Sequence, residues 1–163
     1  MGGVGSPKKI IDGISISLKT NKDNIFFLYG KKDKIEDEIK QNKNISQYCK
    51  IINTTDVILD NESALSAAKR GKESSMWKTI ESQKTNITDI SLSAGNTGAL
   101  LVISRLILNT IDGINKPALA GLWPNKNSIN IVLDLGANIE CNEKNLFDFA
   151  CMGSALYKSL FNI

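Results

Sequence analysis

The sequence predicts an α/β fold in which a mainly parallel sheet carries helices on both faces. Short apolar segments alternate along the chain with segments whose apolar residues recur at helical spacing. Such alternation favours parallel strands joined by helical crossovers. The 163 residues are 42% apolar and 23% charged, which allows a packed core and excludes wholesale disorder.

Five short segments are predicted to be strands, because each is a mainly apolar run bounded by turn-forming or polar residues. They are residues 24–29, 48–53, 87–93, the short extended segment 117–122, and 129–135. The last has apolar residues on both faces, as expected of a strand inside a parallel sheet.

Apolar residues at helical spacing predict six helices. The first is expected to begin at Ser6-Pro7, with the serine hydroxyl as the cap and the proline as the first helical residue. The others cover residues 33–41, 62–70, 74–84, 97–110 and 142–160. The helix over 97–110 is apolar almost all round and is expected to be buried. The last helix is expected to be interrupted or closely packed at Gly153.

The length fits one domain, and we expect residues 1–163 to form a single α/β domain. The chain opens with a glycine turn that feeds a helix, whereas such a turn normally leaves the end of a strand in an open α/β sheet. It also ends close behind a helix. These two features predict that the chain is a fragment of a longer protein.

The composition excludes several classes of site and partner. Histidine is absent from the sequence, which excludes Ser–His–Asp and Cys–His catalysis and histidine zinc sites. The three cysteines lie far apart without a C-x-x-C pair, so we expect no metal site and a reducing, cytoplasmic location. A net charge of +3 is too mild to predict a nucleic-acid partner. The longest apolar stretch, residues 98–108, is too short to span a bilayer.

The sharpest motif is the loop Ser93-Ala94-Gly95-Asn96-Thr97-Gly98, between a predicted strand and a predicted helix. Its glycines allow close approach of the backbone, and a helix start presents unpaired N–H groups and the positive end of the dipole. Ser93, Asn96 and Thr97 add side-chain donors. The loop is therefore a candidate anion site, although a tight turn capped by Thr97 explains the same residues.

A second motif, Leu133-Asp134-Leu135-Gly136-Ala137-Asn138, ends another predicted strand. The carboxyl ends of strands line the ligand crevice in doubly wound sheets, so Asp134 and Asn138 are expected to face the first loop. The alternative is an Asx-type turn, which the composition favours.

Two further segments are weaker candidates. Gly2 and Gly3 form another glycine turn before a helix. The basic stretch around Arg70 and Lys72 precedes Ser74, which is expected to cap the next helix. This stretch is either a rim that holds a phosphate or a solvated run of charges, and composition favours the solvated run.

At these loops the chain resembles the bacterial phosphate acyltransferase family, the fatty acid/phospholipid synthesis proteins. Five segments match that family's motifs in order and spacing: residues 74–76, 93–99, 116–120, 133–138 and 152–155. The sequence departs from the family at Val4, where an aspartate is expected, and at Gly5, where a histidine is usual. The resemblance covers nearly all of this chain but about half of the family's protein, which implies that the first strand and the carboxyl-terminal half are missing.

The resemblance implies a Rossmann-like, three-layer α-β-α fold similar to the isopropylmalate dehydrogenase-like architecture. It also implies an acyltransferase that converts long-chain acyl-acyl carrier protein and inorganic phosphate to acyl phosphate and free carrier protein, feeding phospholipid synthesis. No metal or cofactor is required for that reaction. The implied partners are acyl carrier protein, phosphate and, in the full-length family, a second copy in a homodimer, with at most peripheral membrane association.

The resemblance further implies roles for individual residues. The candidate catalytic residues are Asn96, Asp134 and Asn138. The candidate phosphate-binding residues are Gly2, Gly3, Ser93, Gly95, Asn96, Thr97 and Gly98. The candidate contacts with substrate or carrier are Arg70, Lys72 and Gly136.

Two other functions remain open at this point. One is a catalytically inactive fragment that binds anions or pairs with a missing half. The other is a related phosphate acetyl- or butyryltransferase that uses coenzyme A, whose loop sequences fit less well.

Overall fold

The computed structural model describes residues 1–162, and Ile163 lies outside the described residues. The chain divides into two compact units, Met1–Leu108 and the part that begins at Asn109. The prediction of a single α/β domain stays a prediction.

The first unit consists of a parallel pair of strands with helices packed on it, which confirms the α/β class. Its helices are α1 (Lys8–Thr20), α2 (Lys32–Gln41), α3 (Ala64–Arg70), α4 (Ser75–Lys84) and α5 (Thr97–Leu108). Its strands are β1 (Phe26–Gly30) and β2 (Cys49–Asn53). They pair in parallel from Phe26 opposite Cys49 to Gly30 opposite Asn53.

Two apolar clusters form the core of this unit. One joins α1 and α2 to the sheet and includes Ile11, Leu28 and Ile35. The other joins α3, α4 and α5 through the fully buried Ala67, Ile80 and Ile103. Small side chains such as Ala67 let helices approach closely, and this second cluster fixes the position of the loop that precedes α5.

The second unit contains an antiparallel hairpin and one long helix. The strands are β3 (Gly121–Pro124) and β4 (Ile129–Val132), and the helix is α6 (Glu143–Phe161). A reciprocal capping box between Asn142 and Asn145 begins α6. The helix continues through Gly153, where an added Cβ would lie 3.1 Å from a methyl carbon of Leu133. Close packing, and not an interruption, is therefore the reason for glycine at this position.

The strand predicted over residues 87–93 is wrong, since no strand is found in that segment. The N–H groups of Ile87 and Thr88 donate to the carbonyl of Ser82, so the chain turns off the end of α4. Ile90 and Leu92 are 69% and 75% exposed. An apolar run forms a strand where a neighbouring strand pairs with it, and this run has no such partner among residues 1–162.

The strands predicted over 117–122 and 129–135 are shorter and run antiparallel to each other. Four residues connect them, and the Asn125 carboxamide oxygen accepts from the N–H groups of Asn127 and Ser128. Such a short connection joins antiparallel strands, because a parallel pair needs a crossover of a dozen residues or more. The turn-forming composition of residues 125–128 is the signal that could have revealed this hairpin.

Two helix predictions also need correction. α1 begins at Lys8 with Pro7 as its cap residue and no side-chain cap, because a turn closed by the Ser6 N–H and the Gly3 carbonyl precedes it. The predicted cap at Ser6 is thus wrong by one residue. The apolar surface of α5 is less buried than expected, because Ala99 and Ile103 are buried whereas Leu106 is 59% exposed. In residues 1–162, no helix combines the length and the hydropathy needed to cross a membrane.

Candidate functional site

The glycine loop of residues 93–98 enters α5 through Asn96. The Asn96 carboxamide oxygen accepts from the Ala99 N–H at 2.9 Å, and the Asn96 carbonyl accepts from the Leu100 N–H at 3.0 Å. These are the contacts of a helix cap. The cap is therefore Asn96, and the cap predicted at Thr97 is wrong by one residue.

The amide nitrogen of Asn96 joins a second segment to this loop. It donates to the carbonyl oxygens of Leu59, Asp60 and Glu62 at 3.1, 3.1 and 2.8 Å. The two amide hydrogens are shared among three carbonyl acceptors. Both polar atoms of the Asn96 side chain are therefore bound to main-chain groups, which they hold in position. The catalytic role of Asn96 stays a prediction.

Gly3 contacts the loop through main-chain atoms, and Gly2 makes the same kind of contact with Ile58. A Cβ added to Gly3 would overlap the carbonyl oxygen of Ala94, and one added to Gly2 would overlap that of Ile58. Gly2 also has a φ of +107°, which L residues with a side chain rarely adopt. The structure thus brings together two of the predicted phosphate-binding segments, and glycine is needed at both positions for this approach.

The remaining loop residues lie at the open end of α5. Ser93, Thr97 and Gly98 are exposed, and the Ser93 hydroxyl oxygen accepts from the Gly95 N–H at 3.2 Å. Gly98 lies against Ala64 of α3, where an added Cβ would lie 3.4 Å from that methyl group. The first N–H groups of a helix and its positive dipole end attract anions, and these residues lie at that end of α5.

Arg70 pairs with two carboxylates of its own unit. Its guanidinium donates to Asp56 at 2.6 Å and to both carboxylate oxygens of Glu62, and it also reaches the Val57 carbonyl. The hydrogen bonds from Arg70 hold the pKa of Glu62 below its usual value. Arg70 and Asn96 therefore bind the same segment, residues 56–62.

Lys72 and Ser74 follow Arg70 and have separate environments. Lys72 is exposed on the short 3-10 turn Gly71–Glu73. Ser74 caps α4 by accepting from the Trp77 N–H at 3.2 Å, which confirms the predicted cap. The contacts of Arg70 and Lys72 with substrate or carrier stay predictions.

Asp134 organises the corresponding loop of the second unit. One carboxylate oxygen accepts from the N–H groups of Leu119 and Ala137 at 2.8 and 3.2 Å. The other accepts from the N–H and the side-chain amide of Asn138 at 2.8 and 2.9 Å. The Asn138 amide also donates to the Pro117 carbonyl at 2.8 Å. Two motifs of the sequence, residues 116–120 and 133–138, are thus joined by one carboxylate and one carboxamide.

The four hydrogen bonds to the Asp134 carboxylate determine its protonation state. Burial alone raises the pKa of its carboxyl, but the hydrogen bonds from Leu119 and from Asn138 and Ala137 outweigh burial and lower the pKa below its usual value. The group is therefore an ionised carboxylate at neutral pH. Gly136 lies at the tip of this loop with a φ of +88°, exposed and with open space around it.

The predicted site residues fall into two sets, one in each unit. Residues 2–3, 70–72 and 93–98 belong to the first unit, whereas residues 134, 136 and 138 belong to the second. Sequence reasoning missed Asp56 and Glu62, the partners of Arg70, and Leu119, a donor to Asp134. Their spacing from those partners follows no local pattern, so no signal in the sequence identifies them.

Replacing Asn96 by Asp tests the positioning role of its amide. The carboxylate of Asn96→Asp keeps the acceptor at the helix cap but faces three carbonyl oxygens without a donor. We expect the free energy of unfolding, measured in urea, to fall by about 1–3 kcal/mol. Asn61→Asp, an exposed change in the adjoining segment, is the control and should stay within about 0.5 kcal/mol. Equal stability of the two variants would contradict this role.

Gly3→Ala tests the main-chain contact with the loop. The new methyl group would overlap the Ala94 carbonyl, so we expect a loss of about 1–3 kcal/mol in unfolding free energy. The control is Gly13→Ala in α1, where an added Cβ meets nothing within 4 Å. That change should stabilise the helix by about 0.5–1 kcal/mol. A tolerated Gly3→Ala would show that the two segments do not need this close approach.

Asp134→Asn tests the carboxylate that joins the two motifs of the second unit. Because the folded pKa is depressed, the stabilisation is present above the unfolded value of about 3.9 and is lost as pH falls through the folded pKa. Trp123 of β3, in a Trp77→Phe background, reports on unfolding of this unit. We expect the variant to be less stable by about 1–3 kcal/mol at pH 7 and to approach the parent in acid.

An exposed carboxylate of the same unit provides the comparison. Asp112→Asn should change the stability little at either pH. A destabilisation by Asp134→Asn that persists undiminished at low pH would mean that shape, and not charge, explains the role of Asp134.

Comparison with known proteins assigns the family. All of residues 1–163 match the family model described as "Fatty acid synthesis protein". The phosphate acyltransferase of Pelagibacter ubique (strain HTCC1062) is 54% identical over 161 residues, which are 99% of this chain and 48% of that protein. The phosphate acyltransferase of Ehrlichia canis (strain Jake) is 38% identical over 100% of this chain and 50% of its own.

A third relative gives the same result. The phosphate acyltransferase of Caldanaerobacter subterraneus subsp. tengcongensis is 42% identical over 100% of this chain and 48% of its own. The chain spans about half the length of these curated relatives. The resemblance predicted from the loops is confirmed, and the chain belongs to the fatty acid synthesis protein family.

Proposed function

We propose that this chain is the phosphate-binding part of an acyltransferase that moves a long-chain acyl group from acyl carrier protein to inorganic phosphate. The products are acyl phosphate and the free carrier thiol, and the reaction feeds phospholipid synthesis. The observation that carries the proposal is the close main-chain contact of Gly3 with Ala94 beside the open end of α5. Relatives named phosphate acyltransferase over the whole chain support the reaction class.

The reaction suits a site without histidine. An oxygen of the phosphate dianion attacks the thioester carbonyl carbon, a C–O bond forms, the C–S bond breaks, and the carrier leaves as a thiolate that takes up a proton. Phosphate is already a nucleophile near neutral pH and the thiolate is a good leaving group. The protein therefore mainly has to place the anion and stabilise the developing oxyanion.

The glycine loop fits the first of these tasks. Main-chain N–H groups of residues 96–98, with the exposed hydroxyls of Ser93 and Thr97, offer donors to phosphate oxygens at the positive end of α5. Asn96 acts in this proposal by holding the loop against residues 59–62. Its candidate catalytic role is thereby recast as a positioning role.

Asp134 and Asn138 have a related place in the proposal. An ionised carboxylate with four donors is a poor general acid, so Asp134 serves to shape the loop that carries Gly136 and Asn138. Asn138 then orients either the pantetheine arm or the attacking phosphate. Both functions require the second loop to be rigid, and the hydrogen bonds of Asp134 supply that rigidity.

The proposed partners follow from the reaction. Acyl carrier protein is the acidic macromolecular substrate, and the exposed Lys72 is its proposed contact, with Arg70 holding the neighbouring segment. We also propose a homodimer for the full-length protein and a cytoplasmic location, in keeping with the free cysteines Cys49, Cys141 and Cys151.

A graft into an active relative tests the proposed reaction. The matching half of the Pelagibacter ubique protein is replaced by this chain, and release of carrier thiol from long-chain acyl-acyl carrier protein is measured with and without phosphate. We expect phosphate-dependent release at a rate within about tenfold of the parent, because the two segments are 54% identical. Ser93→Ala and Thr97→Val in the graft should raise the KM for phosphate several-fold.

The parent relative and a phosphate-free reaction are the controls. A folded graft that releases no thiol beside an active parent would reject the proposed reaction and favour an inactive anion-binding fragment. Turnover of an acyl-coenzyme A thioester, without turnover of the carrier thioester, would reject the proposed carrier and favour the coenzyme A-dependent alternative.

A further inference from the structure

The first unit has a partly open cavity of about 110 Å³ beside the glycine loop. Its walls come from the glycine turn and the start of α1, from Tyr29 of β1, from the first turn of α4, and from residues 92–95. About 10–15 Å³ of such space holds one water molecule, so there is room for a small oxyanion.

One polar group in the cavity wall has no partner. Ser75, the first residue of α4, is 2% exposed, and its hydroxyl oxygen has no hydrogen-bond partner among the described residues. Buried hydroxyls are nearly always paired, and an unpaired one destabilises the fold. The preceding serine, Ser74, already caps α4, so Ser75 is not needed for that purpose.

The position of Ser75 favours an anion. It lies at the N-terminal end of a ten-residue helix, where the dipole is positive. Its own N–H donates to the Asp56 carbonyl at 3.1 Å, and the Thr79 hydroxyl one turn later donates to the Ser75 carbonyl at 2.7 Å. The Ser75 hydroxyl is therefore a donor that this turn of α4 leaves for a ligand.

The charged side chains that line the cavity also favour an anion. Lys9 contributes to the wall, and its alkyl chain packs over Gly5. Within the described chain, no carboxylate side chain lines the cavity. Ser6 and Ser93, the latter in the glycine loop, add further hydroxyls. Beside apolar side chains, the lining thus combines a lysine, serine hydroxyls and a helix N-terminus without an acid, a set of groups suited to a small oxyanion.

We propose that this cavity binds inorganic phosphate and that Ser75, a residue outside the glycine loop, donates its hydroxyl to the bound anion. The hydroxyl oxygen is itself buried in the structure, so in this proposal it turns to the anion by rotation about χ1 to another staggered position. The proposal rests on the proposed function for the identity of the anion. It extends the site from the start of α5 to the start of α4.

Two matched variants test this proposal. Ser75→Ala removes the unpaired hydroxyl in the cavity wall. Thr54→Val removes another buried hydroxyl without a partner, at 5% exposure, from a residue that does not line the cavity. Both variants delete an unsatisfied group, so both should keep or raise the melting temperature without phosphate.

Calorimetric titration of the chain with inorganic phosphate, at constant ionic strength, separates the two variants. We expect Ser75→Ala to raise the Kd for phosphate about tenfold or more, because a hydrogen bond to a charged group is lost. Thr54→Val should bind as the unsubstituted chain does. That pattern, with melting temperatures at or above the parent's, supports the proposal.

The other outcomes overturn it. Equal affinity of Ser75→Ala and the parent, equal losses in both variants, or no phosphate binding by the parent would each reject phosphate at Ser75. Acyl transfer by the graft decides the proposed function separately. A Ser75-dependent phosphate site in a chain whose graft is inactive would support this cavity and reject the transferase.

Discussion

The side chain of Asn96 determines how the first unit presents its glycine loop. One of its atoms begins α5, and the other binds three carbonyl groups of residues 59–62. A single carboxamide thus fixes both the direction of a helix and the wall beside it. The dipole at the start of α5 is useful to a ligand because the loop in front of it is held in one conformation.

The charged side chains around both loops mostly bind the protein itself. Arg70 is neutralised by Asp56 and Glu62, and Asp134 is surrounded by four N–H donors. What remains for a ligand is made of main-chain N–H groups, hydroxyls and lysines at the margin. Such donors suit phosphate, because they stabilise its negative charge by hydrogen bonds.

The sequence predicts the α/β class and most of the first unit, because periodicity and turn residues are local. Residues 24–29 cover all of β1 except Gly30, and residues 48–53 contain β2. The cap at Ser74 follows from its position before an apolar helical repeat. The segment 87–93 shows the limit of this reasoning. Its composition is that of a strand, but pairing depends on a neighbour that composition does not specify.

The site is less predictable from the sequence than the fold, because it depends on contacts between segments that lie far apart in the chain. The three carbonyls bound by Asn96 lie 34 to 37 residues away in sequence, and the Leu119 donor to Asp134 lies 15 residues away. The unpaired hydroxyl of Ser75 follows from the packing of four segments around one cavity. Motif matching identified the loops. Only the three-dimensional structure distinguishes the residues that hold the loops in place from those that remain available to bind a ligand.

The contact of Gly3 with Ala94 is made by backbone atoms, and this has a consequence for how the chain can change over time. Substitutions at surrounding positions alter side chains but leave the peptide groups where they are. Lysine supplies all but two of the 20 basic residues, and Arg70 and Arg105 are the only arginines. A binding surface built from peptide groups does not depend on which basic side chains surround it, provided that mutation spares the few positions where only glycine fits.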